Sequence, residues 1–92
     1  MSVTTTHFAL TVDAWTEVAS GKQSVSIVNH MIATACVHVG ASTPPIGTDA
    51  YMLVEPGADK AANFSGLGPD DKVYARAANS SGAAVVVFAG DE

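Results

Sequence analysis

The chain has 92 residues, 48% of them hydrophobic and 14% charged, with a formal net charge of −5 and a pI near 4.8. That length holds one small domain over residues 1–92, and its four cations, Lys22, Lys60, Lys72 and Arg76, do not make the basic face that nucleic acid or an anionic membrane requires. A lone cysteine, Cys36, excludes an internal disulfide framework.

Taken in chain order, the pattern is of strands. "HFALTVDAW" places Phe8, Leu10 and Val12 on one side and His7, Ala9 and Thr11 on the other, the period of a half-buried strand. "TEVASG" runs to a turn at Ser20-Gly21. "SVSIVN" turns Val25 and Ile27 one way and Ser24 and Ser26 the other. "ATACVHVG" alternates Ala35, Val37 and Val39 against Thr34, Cys36 and His38. "ASTPPIGTD" is a loop, because adjacent prolines and a glycine exclude helix and central strand. "AYMLVE" is a short apolar run ended by a Pro56-Gly57 turn. "GADKAANF" is the one segment with helix-forming residues, too short to hold a helix alone, and "ANFSGL" reads as a short strand or irregular edge. "KVYARAAN" sets Val73, Ala75 and Ala77 against Lys72, Tyr74 and Arg76. After a turn at "SSG", "AAVVVFAG" is the last strand. The expectation is an all-β chain: a small antiparallel β-sandwich or jelly-roll-like barrel of about seven or eight short strands.

"GLGPDD" is the most motif-like stretch. A phosphate loop needs its glycines to open a helix, but here "KVYARA" follows with strand period, and Asp70 and Asp71 repel an anion. The reading is a turn, with Pro69 presetting it and Gly66 and Gly68 giving backbone freedom. His7, His30, Cys36 and His38 are the available metal ligands, and no second closely spaced pair accompanies Cys36 and His38. No nucleophile elbow is present, and Asp70-Asp71 are neighbours in a turn rather than carboxylates facing across a cleft. No enzyme, cofactor or metal is expected. Trp15 is expected in the core. Tyr74, between Lys72 and Arg76, is expected on the outside. The N-terminal "MSVTTTHFALTV" lacks the basic start and long apolar run of a signal peptide, so synthesis in the cytosol is expected.

The order of "VDAWTEVASGKQSVSIVN" followed by "VHVGASTPPIGTDAYMLVEPGADKAANFSGLGPDDKVYARAANSSGAAVVVFAG" resembles small β-sandwich virion proteins of tailed bacteriophages. The carrying elements are the Trp-Thr-x-Val opening, the Val-His-Val-Gly strand, the Pro-Gly turn, the Phe-x-Gly-Leu corner and the Val-Tyr-Ala-Arg-Ala strand. The similarity spans nearly the whole chain. It implies a non-catalytic virion component made in the host cytoplasm: a capsid decoration protein, or a head-fibre or tail accessory module. Its implied partners are the major capsid protein or other virion proteins, and a homo-oligomer such as a trimer. A carbohydrate- or ligand-binding β-sandwich module is the alternative from another class, and sugar binding needs a coplanar pair of exposed aromatics with polar groups nearby. The expected contact residues are Val3, Thr4, Thr5 and Thr6 in a terminal segment free of the sheets, Pro44 and Pro45 in their loop, and Tyr74 with Arg76 on an outer face. With a free terminus, deleting residues 2 to 6 is expected to weaken attachment and spare the fold.

Overall fold

The computed structural model describes residues 2–29, 34–45, 48, 50–55, 61–78 and 84–91. Among them are eight strands and no helix: β1 Ser2–Ala9, β2 Thr16–Ser20, β3 Ser24–Asn29, β4 Ala35–Gly40, β5 Met52–Val54, β6 Ala62–Phe64, β7 Lys72–Ala77 and β8 Ala84–Asp91. They form two four-stranded antiparallel sheets, ordered β1-β8-β3-β6 and β2-β7-β4-β5, which stay separate rather than closing into a barrel. The chain is thus a β-sandwich, as the alternation predicts.

The pairing has a simple logic. β1 pairs with β8, β2 with β7, β3 with β6 and β4 with β5. The first half of the chain is therefore laid against the second half in reverse, as one long hairpin. β3·β8 and β4·β7 pairs then roll that hairpin into two layers. This is the strand order of a double-sheet jelly roll. Only β4 and β5 are both consecutive in sequence and adjacent in one sheet, so nearly every connection crosses between layers.

The core follows the period of two. The first sheet turns inward Val25, Ile27, Ala62, Val85, Val87 and Ala89; the second turns inward Ala35, Val37, Val54, Val73, Ala75 and Ala77. On β2 the adjacent Val18 and Ala19 are both buried, because the register slips between Glu17 and Ala19 and a bulge gives this strand two inward residues in succession. Asn29, wholly buried at the end of β3, donates from Nδ2 to the Val54 carbonyl on β5 at 2.9 Å and so ties the two sheets together.

The "GLGPDD" stretch is the expected turn. The Asp71 amide donates to the Gly68 carbonyl at 3.2 Å, and the Asp71 carboxylate accepts from the Gly68 amide at 2.8 Å. Gly66 takes φ +72°, the left-handed region that favours glycine. Asp71 thus spends its carboxylate on its own turn.

Two expectations are corrected. The first strand is not 7–15 but Ser2–Ala9. Its threonines are β-branched strand formers with β8 beside them, whereas after Ala9 the chain crosses between layers. Leu10 and Val12 still point into or against the core, so the alternation was real, although Thr11 gives its carbonyl to the Ala77 amide outside any ladder. The terminal segment is consequently not free: Ser2 through Thr6 pair with Asp91 through Val87. Within "GADKAANF", Ala62–Phe64 is strand β6. The remaining Gly57–Lys60 part, the Pro56-Gly57 and "SSG" turns, and His30 lie outside the described residues.

Candidate functional site

Two surfaces stand out, one on each sheet. The first is the edge strand β1. Among the described residues it pairs only with β8, and Thr4, Thr5, Thr6 and His7 are all exposed. Because successive residues of a strand point to opposite faces, β1 is open on both faces from Thr4 to His7. The inward-side Thr4 and Thr6 lie opposite Ala89 and Val87, so the opposing sheet does not reach over this end of the sandwich. Val3 sits in the same strand through its backbone pairing with Gly90.

The second is the outer face of the β2-β7-β4-β5 sheet. Ala35, Val37, Val73, Ala75 and Ala77 take the core side, which leaves Cys36 and His38 on β4 and Tyr74 and Arg76 on β7 facing away. Strand register sets Cys36 beside Arg76 and Leu53, and His38 beside Tyr74. Pro45 and Ala50 between β4 and β5, and Trp15 before β2, contact this face or one another. Trp15 Nε1 donates to the Pro45 carbonyl at 3.3 Å, and His38 Nδ1 lies 2.6 Å from the Ala50 carbonyl. A carbonyl only accepts, so Nδ1 carries the proton. Gly40 makes room for that ring: a Cβ at position 40 would fall 2.8 Å from His38 Nε2.

At the centre lies Arg76. Its guanidinium carbon sits 5.2 Å from the Trp15 ring centroid and 5.7 Å from that of Tyr51, within cation–π range of both. One terminal nitrogen donates to the Ala77 carbonyl at 2.9 Å. Its Nε is buried with no hydrogen-bond partner among the described residues. Trp15 and Tyr51 are tilted 54° to one another with centroids 6.4 Å apart, and His38 bridges Trp15 and Tyr74 at 6.0 and 6.3 Å. The rings Trp15 and Tyr51 share a cation between them and do not form a flat stacking platform.

These positions correct three expectations. Tyr74 is 2% exposed, not outward to solvent, and the His38 ring lies 6.3 Å from its own. Pro44 is buried, and Pro45 alone of the pair is exposed. Trp15 is half-buried at the rim of the outer face rather than in the sandwich core. The structure brings Pro45 and Arg76 to Trp15 and places Tyr74 on the same face, but Val3 to Thr6 belong to the other sheet. Sequence reading missed Tyr51 and Leu53. "AYMLVE" reads as a short apolar run; only Val54 of β5 is buried, and Tyr51, Met52 and Leu53 are exposed at 38%, 45% and 57%. Among the described residues, no group of three or more His, Cys, Asp or Glu side chains converges to hold a metal ion.

Burial of Cys36 pushes its thiol above the ordinary value of about 8.5, and the Arg76 guanidinium offsets part of that rise. The folded thiol keeps its proton to higher pH than the unfolded one. Its stabilising contribution is therefore complete below about pH 8.5 and is lost as pH rises through the folded value. Two outcomes are expected. In the native protein at neutral pH, Cys36 resists Ellman's reagent, and it reacts promptly in denaturant. In denaturant titrations, stability declines less steeply above about pH 8.5 in Cys36→Ala than in the parent. Rapid labelling of the native thiol would contradict this burial.

Compared with protein-family models, curated proteins and solved structures, the chain matches none.

Proposed function

We propose that the chain is a non-enzymatic structural protein of a tailed-phage virion, a capsid decoration protein that attaches to the outer head surface through β1. The observation that carries this reading is the unguarded edge. Natural sheets blunt their edges with lysine, proline, bulges or very short strands. β1 is eight residues long, holds no Lys, Arg, Pro or Gly, and pairs in unbroken register with β8. Such an edge is a liability in a free protein and an asset in one that completes its hydrogen bonding against a neighbour. The resemblance to small phage β-sandwich proteins and the jelly-roll strand order point the same way. Many symmetric copies, as trimers or around capsid axes, add weak single contacts into strong attachment.

The partner in this reading is the major capsid protein or another virion protein. A tail or head-fibre accessory module is the second reading, since it would use the same edge. The carbohydrate-binding reading loses its support, because Trp15 and Tyr51 are tilted around Arg76 rather than coplanar and free. The test is binding to particles lacking the protein. Copies on the order of hundreds per particle indicate decoration and about a dozen or fewer a tail position, as the symmetries of head and tail dictate. Thr4→Lys/Thr6→Lys places two charges on exposed positions of β1 and is expected to lower occupancy at least about tenfold with an unchanged fold. Parental occupancy by this variant would remove β1 from the contact.

A further inference from the structure

We infer that the face running from β5 to Arg76 docks an extended segment of a partner protein that carries a carboxylate. The argument starts from an unmatched charge. The chain has nine acidic residues and four basic ones, yet no carboxylate pairs with Arg76 among the described residues. Glu17, on the neighbouring strand, stands opposite Tyr74 rather than Arg76. A guanidinium partly withdrawn from water, with a buried Nε unsatisfied, is a charge held ready without its counter-charge. Trp15 and Tyr51 hold the group in place, so little freedom is lost when a ligand arrives. Its planar fork matches a carboxylate better than any other common group on a protein.

The second observation is next to the first. Tyr51, Met52 and Leu53 are three successive large apolar residues, all exposed, at the free edge of the second sheet. Among the described residues β5 pairs on one side only, with β4, and its other edge has no strand beside it. Leu53, Cys36 and Arg76 form one row across the outer face. A strand added beside β5 therefore covers Leu53 and Met52 and sends its outward side chains over the face where the guanidinium lies. Backbone pairing supplies affinity, and the carboxylate supplies selectivity. A second copy of this chain fits less well. β5 paired with its own symmetry mate brings together Met52, Leu53 and Val54, none of them acidic, and the adjoining Glu55 already has a partner within the chain. This docking face is separate from β1 and holds whatever particle, if any, β1 attaches to.

The experiment uses the intact chain and a capped heptapeptide of alternating threonine and valine with one central glutamate. The sole tryptophan, Trp15, reports directly through its fluorescence, and amide chemical shifts locate the contact. The expected result is a saturable change in Trp15 emission with shifts concentrated at residues 51–55 and Arg76. Replacing the peptide's glutamate by glutamine is expected to weaken binding about tenfold or more, as loss of a charge-assisted pair does. Arg76→Gln is expected to abolish that difference. Leu53→Glu alters an exposed side chain in the row with Arg76, supplies a carboxylate from within, and is expected to block the peptide while keeping the fold. If Arg76→Gln fails to fold, Leu53→Glu alone decides. No binding at millimolar peptide, equal binding of the two peptides, binding unaffected by Leu53→Glu, shifts on β1 instead, or full mimicry by inorganic sulfate would each overturn the assignment. So would concentration-dependent shifts at β5 without peptide, which would make the occupant a second copy.

Discussion

Ile27→Ala is expected to lower the unfolding free energy by about 2–5 kcal/mol, a large share of the roughly 5–14 kcal/mol expected for a chain of this length. Ile27 is 0% exposed and is among the largest fully buried side chains of the described residues. It sits on β3, an inner strand of the first sheet, opposite Val87 on one side and Ala62 on the other. Its surroundings are mostly valine and alanine. Valine is stiff at χ1 and alanine has no rotamers, so neither can swing into the space left behind. The loss is therefore expected toward the upper part of that range. Ile27→Val removes one methylene and is expected to cost about 0.5–1.5 kcal/mol. Urea unfolding followed by Trp15 fluorescence measures both, with a lower midpoint and an unchanged slope. A loss below about 1 kcal/mol for the alanine variant would mean that the two sheets close over the gap and that the core is looser than described.

Deletion of residues 2 to 6 is expected to destabilise the fold, contrary to the expectation for a free terminal segment. Those residues make five consecutive pairs with β8, from Ser2 opposite Asp91 to Thr6 opposite Val87. Their loss strips the ladder along half of β8 and leaves that strand, which carries the buried Val87 and Ala89, as a new edge. At about 0.5–1.5 kcal/mol net per ladder bond, the effect is on the order of 3 kcal/mol. For a domain of this size that corresponds to a fall in melting temperature of roughly 12–24 °C. Thermal melts of the parent and truncated proteins measure it. An unchanged melting temperature would show that β1 adds nothing to the fold. The same reasoning explains why attachment is better tested with Thr4→Lys/Thr6→Lys, which keeps the strand and alters only its exposed side chains.

Much of the fold is written in short-range alternation. Val25 with Ile27, Ala35 with Val37, and Val73 with Ala75 and Ala77 are all assigned to the core side by a period of two, and all are buried. The candidate site was less legible. That Cys36, His38, Tyr74 and Arg76 turn away from the core follows from the same period. That they meet does not, because β4 and β7 are far apart in sequence and become neighbours only when the long hairpin rolls up. Tyr51 was hidden for a similar reason: a short apolar run does not tell whether its strand lies at an edge.

The sequence by itself determined the all-β class, the inward face of most strands and the turn at Gly68–Asp71, since each depends on residues within a few positions of one another. Only the tertiary structure decided that Ser2–Ala9 is an open edge strand, that Tyr74 and Pro44 are covered, and that Arg76 lies between Trp15 and Tyr51 without a carboxylate among the described residues. Alternation says which face a side chain takes but not which strand lies beside it. In a sandwich whose first half pairs with its second half in reverse, the neighbours come from long-range pairing, and so do the edges and the outer-face contacts.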